Sequence, residues 1–252
     1  YVVTEAGFGA DLGAEKFLNI KCRKTGLRPS CAVVVATVRA LKLHGNADAK
    51  NLGEENLQAV ADGLPNLLRH IENLSKFGIP TVVALNRFPT DTENEISKVQ
   101  KVCQEFGVNA ILAEHWKNGG KGASKLAETV IDTIENEVSD LKFTYEDKDK
   151  PIEKIEKICK EIYRAKDINF SALALKKLDE ISNLGFDHFP VCMAKTQYSF
   201  STDPTKKCAP TNHDIQIREV RLSAGAEFIV AIAGDIMTMP GLPKKPAAYE
   251  VR

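Results

Sequence analysis

The chain has 252 residues with 34 basic and 34 acidic side chains, 43% hydrophobic residues and six cysteines. Balanced charge argues against a basic nucleic-acid platform and an acidic disordered tail, and the length is ample for one or two domains with a real core. No apolar run approaches the roughly 20 residues that span a bilayer, and no two cysteines are spaced as C-x-x-C. The reading is a cytoplasmic protein with reduced cysteines, and no zinc or other metal ligands are assigned.

Tyr1-Val2-Val3-Thr4 is apolar and β-branched from the first residue, which predicts a strand entered midway and a chain that is one piece of a larger protein. Residues 12–19 read as a short helix. The run from Cys31 to Val38 predicts a strand buried on both faces of a parallel sheet, followed by a polar insertion at 44–54. Leu64, Leu67, Leu68, Ile71 and Leu74 mark a helix with Pro65 in its first turn and Gly78 at its end. Strand 80–85, helix 92–106 and strand 108–112 form a right-handed βαβ unit. A Gly-rich loop at 117–122 then leads into helix 123–138, and the charged stretch 142–151 reads as a surface connection. Helices 152–162 and 172–184 follow, the second capped by Ser171 and stopped by Gly185. Strands at 189–194, 217–222 and 227–233 and a Pro/Gly-rich tail at 240–246 complete the pattern.

Ligands of open parallel sheets bind beyond the carboxyl ends of the strands, which directs attention to four loops. Residues 5–15 contain Gly7, Phe8, Gly9 and Gly13 between strand and helix, a pattern that suits either a structural turn or an anion site. Asn86-Arg87-Phe88-Pro89-Thr90-Asp91-Thr92 follows strand 80–85. It is a poor match to the guanine-reading N-K-x-D loop, because Arg replaces Lys and the Asp falls two residues late; Thr90 or Asp91 can cap the next helix. The segment 114–122 holds Trp116, the only tryptophan. If strands 80–85 and 108–112 are neighbours about 4.8 Å apart, Phe88 and Trp116 emerge from the same sheet end, and rings about 7 Å apart can sandwich a flat heterocycle. Residues 196–204, with Tyr198, Ser199, Phe200, Asp203 and Pro204, suit a base or ribose, or a self-bonded surface loop.

Five ordered segments carry a family resemblance: TEAGFGADLGAEKF (4–17), LNRFPTDT (85–92), HWKNGGKG (115–122), AKTQYSFSTDP (194–204) and GDIMTMPGLPK (234–244). Together they resemble formate–tetrahydrofolate ligase, specifically its C-terminal half. The resemblance implies a phosphate-loop NTPase-like parallel sheet with helices on both faces, followed by a C-terminal α/β domain. Residues 1–75 would be the remainder of the nucleotide-binding domain, and 76–252 the domain carrying the folate-stacking loops. It implies formation of 10-formyltetrahydrofolate through formyl phosphate, with ATP, Mg²⁺ and a monovalent cation such as K⁺, in a homotetramer. Phe88 and Trp116 would stack the pterin with Leu112 at its edge; Gly7, Phe8 and Gly13 would line the formyl phosphate and folate site; Tyr198, Ser199, Phe200, Asp203 and Pro204 would approach the nucleotide. No G-x-x-x-x-G-K-S/T occurs, so the phosphate-activating residues and any certain catalytic residue are expected outside this chain. A GTPase-like regulatory fragment and a non-catalytic docking half are the alternatives.

Overall fold

The computed structural model describes residues 1–236, as two sheets flanked by helices. The tail at 240–246 and the later part of segment 234–244 lie outside the described residues. Residues 10–25 form one continuous helix, α1, with wide π-type turns at Ala10–Ala14 and Phe17–Cys22 and a closing turn at Arg23–Thr25. The expected strand at 1–4 is not formed: Tyr1, Val2 and Val3 are 84%, 97% and 91% exposed. A β-branched run becomes a strand only where it finds a partner and a buried face, and these residues find neither among the described residues.

The first sheet is parallel, in the order β1 (Ala32–Ala36), β2 (Thr81–Asn86), β3 (Ala110–Ala113). Strand β1 is shorter than its apolar run. Thr37 turns the chain by accepting a hydrogen bond from the Ala40 amide, so Val38 begins α2 (Val38–His44) instead. Nor is β1 buried on both faces, because Val33 is 44% and Val35 69% exposed. On β2, Val83 and Leu85 face the core formed with Leu64, Leu67 and Ile71 of α3 (Leu57–Lys76) and with Ile96 and Val99 of α4 (Glu93–Glu105). Full burial of each such side chain contributes about 1.5–3 kcal/mol. Val82 and Ala84 alternate to the other face, where α6 (Ser124–Asn136) packs on β2 and β3 but leaves the edge strand uncovered.

Helix α3 starts seven residues earlier than the leucine pattern suggests, with the Asn56 side chain accepting from the Ala59 amide. Pro65 is therefore an interior residue on the exposed side, not a first-turn residue. Its missing N–H faces water, where the lost bond costs least. The helix ends at Gly78 as the sequence predicts.

The second sheet has the order β4 (Ile168–Phe170), β6 (Ile215–Ser223), β7 (Phe228–Ala233), β5 (Val191–Ala194). Strands β6 and β7 form an antiparallel hairpin, and the two outer pairs are parallel. Strand β4 is only three residues long, too short for its Ile-Asn-Phe alternation to stand out in the sequence. Helices α7 (Pro151–Glu161) and α8 (Ala172–Asn183) bury Ile155, Ile158, Leu178 and Ile181 against Val191, Met193, Ile229 and Ala231. Leu18 and Cys22 of α1 and Leu74 and Phe77 at the end of α3 join this core, tying the two sheets together. The stretch 142–151 is only partly a surface connection: Tyr145 is 2% exposed and accepts a hydrogen bond from the Val191 amide at 3.0 Å.

A fully buried ion pair braces the first sheet. The Lys42 ammonium lies 2.6 Å from Glu95 Oε1, with both side chains 0% exposed. Lys42 also donates to the Glu54 carbonyl, and the Glu95 carboxylate accepts from the Asn56 and Thr92 amides. Burial alone would push the Glu95 carboxyl up, but the hydrogen bonds from Lys42 and the two amides outweigh it and hold the group below its ordinary value.

Candidate functional site

Strands β2 and β3 are hydrogen-bonded neighbours in which Leu85 faces Leu112 and Asn86 faces Ala113. Their following residues therefore leave the same sheet end, and the Arg87 amide extends the ladder by donating to the Ala113 carbonyl at 3.1 Å. A pocket of about 290 Å³ opens there, lined by Arg87, Phe88, Pro89, Glu114, Trp116 and Lys117. Trp116 sits on a one-turn helix, α5 (His115–Asn118), is 57% exposed, and donates its indole N–H to the Arg87 carbonyl at 2.9 Å. That bond fixes the ring against the β2 loop.

Phe88 is held from below. Its amide donates to Asp91 Oδ2 at 2.8 Å, so Asp91 locks this turn and Thr92 is the helix cap, in a capping box with Glu95. Neither Thr90 nor Asp91 caps α4. The Arg39 guanidinium of α2 lies 4.5 Å from the centre of the Phe88 ring and donates to Thr90 Oγ1 at 3.2 Å. One ring face thus rests on a cation. Arg87 is steered by Glu93 at 2.5 Å and Glu114 at 3.5 Å. Leu112 lies one layer deeper, half-buried and packed towards the first core, and is not among the residues lining the pocket.

The glycine-rich segment folds back on α1. A Cβ at Gly13 would stand 1.8 Å from the Gly7 carbonyl oxygen, so only glycine permits this approach. Phe8 has φ 63° and is 78% exposed, an uncommon conformation for a bulky residue and one that displays the ring to solvent. The 196–204 segment is tightly self-bonded. Ser199 Oγ accepts from the Ser201 amide, and the Asp203 carboxylate accepts from the Thr205 amide and hydroxyl. Ser199 and Phe200 are 5% and 2% exposed, whereas Tyr198 is 64% exposed and Pro204 is also at the surface. Phe200 stacks on His70 at 4.7 Å between ring centres.

Residues 1–252 match the family model of formate–tetrahydrofolate ligase along their whole length. The chain belongs to the formate–tetrahydrofolate ligase family. It is 58% identical over 252 residues to the formate–tetrahydrofolate ligase of Beijerinckia indica and 54% identical over 252 residues to that of Pelagibacter ubique. It is 55% identical over 251 residues to that of Maricaulis maris. Each alignment covers 100% of this chain but 45% of the relative, so the chain spans a little under half the length of these ligases. Seen within this family, the loop pair after β2 and β3 brings Phe88 and Trp116 to one pocket, while the Gly7–Gly13 and 196–204 segments meet at a second place, joined by buried charges. Nothing in the sequence pattern pointed to Arg39, His70 or the pairing of Asp11 with Lys195. A lysine at the end of an apolar strand, inside one of the five family segments, was the available signal.

Among the described residues no helix is long and apolar enough to cross a membrane.

Proposed function

We propose that this chain is the folate-holding part of an ATP-dependent ligase that joins formate to N10 of tetrahydrofolate, giving 10-formyltetrahydrofolate, ADP and phosphate. The observation that carries this reading is the convergence of Phe88 and Trp116 on one pocket at the carboxyl end of a parallel sheet, in a chain of this family. The pterin stacks between the two rings with Leu112 towards its edge. Gly7, Phe8 and Gly13 line the formyl phosphate and folate site, and Tyr198, Ser199, Phe200, Asp203 and Pro204 approach the nucleotide, with Tyr198 and Pro204 offering the exposed surface. Residues 1–75 are the remainder of a phosphate-loop NTPase-like nucleotide-binding domain and residues 76–252 the domain carrying the folate-stacking loops, the two sharing the first sheet through β1 and β2, and the full-length protein is a cytoplasmic homotetramer.

The chemistry divides accordingly. A formate oxygen attacks the γ-phosphorus of ATP and ADP leaves. N10 then attacks the formyl carbon, phosphate departs and the N10 proton is lost. Charge gathers on phosphoryl and carbonyl oxygens, which calls for cations and backbone N–H groups around them. This sequence contains no phosphate loop, and among the described residues no three His, Cys, Asp or Glu side chains converge as a metal site. No step on this chain is assigned to Mg²⁺ or K⁺. The contribution of this chain is to hold the acceptor with N10 in line, and holding of this kind can be worth several kcal/mol of barrier.

Trp116 is the only tryptophan, so tetrahydrofolate is expected to quench the emission of the chain. Unchanged emission at about millimolar folate, the upper end of the usual range of KM values, would sink the stacking assignment. Selective binding of GTP by the full-length protein with no response to formate would return the GTPase-like alternative. In the full-length ligase, Gly13→Ala is expected to lower kcat by more than it raises the KM for tetrahydrofolate, because the added methyl drives the Gly7–Phe8 loop off α1 while the aromatic pocket still holds the pterin. Overpacking of this kind costs about 1–3 kcal/mol. Steady-state kinetics check it.

A further inference from the structure

Lys195 follows β5 and is 4% exposed. Its ammonium lies 2.8 Å from Asp11 Oδ2 and donates to the Thr196 carbonyl at 3.0 Å and the Ser199 carbonyl at 2.5 Å. Three acceptors for three protons leave the group fully satisfied and fixed in direction. Asp11 is the second residue of α1 and 5% exposed, and its other oxygen lies 3.9 Å from His70 Nδ1. The His70 ring in turn stacks on Phe200. A Cβ at Gly9 would stand 2.5 Å from the His70 ring and 2.6 Å from the Asp11 carboxylate, so the same network presses on the backbone immediately after Phe8.

One buried cation therefore grips two segments that are distant in sequence, on one side the helix start that carries Gly7, Phe8 and Gly9, on the other the turn 196–201. With the carbonyls of Thr196 and Ser199 drawn inwards, Gln197 and Tyr198 are left at the surface. Neither segment is joined to the other by sheet pairing. Lys195 draws in the backbone of the Tyr198 loop and, through the Asp11 side chain, holds the helix start that follows the Phe8 loop, so both exposed aromatic residues stand beside one ion pair.

We infer that Lys195, through Asp11, is a positioning residue for the ligase reaction: it sets the Phe8 loop against the Tyr198 loop, so that the formyl phosphate and nucleotide sides of the site stay in register. The inference rests on the ligase reading above. It separates this brace from the Phe88–Trp116 pocket, which holds the acceptor independently. A misplacement of about 1 Å can cost about a hundredfold in rate, so an effect on kcat is the signature to seek.

The test uses the full-length ligase. Lys195→Met removes the cation, and Asp11→Asn keeps an acceptor while removing the opposite charge, so the second variant reports even if the first fails to fold. In either folded variant, kcat is expected to fall at least about tenfold and the KM for ATP to rise, while the KM for tetrahydrofolate stays within about twofold, as for loss of positioning rather than of acceptor binding. Unchanged kcat in folded variants overturns the inference. So does a loss of kcat that only tracks the fraction of folded protein, or a rise in the tetrahydrofolate KM as large as the fall in kcat. A wild-type protein with no formate-dependent ATP turnover would instead remove the ligase reading itself.

Discussion

Lys42→Met is expected to lower the free energy of unfolding by about 3–5 kcal/mol, the usual cost of stranding one partner of a buried ion pair. Glu95 would remain 0% exposed, with the Asn56 and Thr92 amides as its only donors among the described residues and no cation. The damage should spread, because the pair links α2, the 49–56 segment and the first turn of α4. Changing both partners, Lys42→Met with Glu95→Gln, should recover at least half of the loss, since the glutamine carbonyl can still accept from one of those amides and no buried charge is left unpaired. Urea unfolding of the single and double variants measures both. The pair also predicts a pH dependence. The folded Glu95 carboxyl is held below its unfolded value of about 4.3, so its stabilisation is complete above that pH and is lost as pH falls through the lower, folded value. The double variant should lose this part of the acid sensitivity. Equal acid sensitivity in wild type and double variant would show that the pair does not titrate as described.

Trp116→Ala and Phe88→Ala in the full-length ligase are each expected to raise the KM for tetrahydrofolate by about 10- to 100-fold, from stacking worth about 1–3 kcal/mol per ring. The KM values for formate and ATP should hold, and kcat should change less, because stacking on the pterin acts on ground state and transition state alike. Trp116→Phe should retain part of the affinity, losing the hydrogen bond to the Arg87 carbonyl that fixes the indole. The Arg39 guanidinium already covers one face of Phe88, so the pterin takes the other, and Arg39→Met should weaken binding less than loss of either ring. Two alanine variants with wild-type tetrahydrofolate KM would remove both rings from the site.

Much of the first sheet was legible because its signals are local. The βαβ unit from β2 to β3 was located within two residues at each end, since an apolar run and a helical stripe agree there, although the cap falls on Thr92 and not on Thr90 or Asp91. The end of β1 was not, because an unbroken apolar run does not say where strand yields to helix; the Thr37 side chain decides it. The strand expected at 1–4 failed for the opposite reason, since composition alone cannot supply a pairing partner. Pro65 was misplaced because leucine spacing marks the buried face of α3 but not its first turn, which Asn56 sets.

The candidate site divides in the same way. By itself the sequence determined that Phe88 and Trp116 follow adjacent strands, that glycines crowd the segment before α1, and that the five family segments keep their order. Parallel pairing with a short crossover then leaves little freedom in where those loops emerge. What only the tertiary structure decided is the set of long-range charge contacts: Arg39 beneath Phe88, Lys42 with Glu95, and Asp11 with Lys195. A lysine or aspartate carries no sequence signal of its partner. Whether it lies on the surface or is buried and paired depends on which distant backbone the fold brings within about 3 Å, and that is settled only when the sheets and helices have packed.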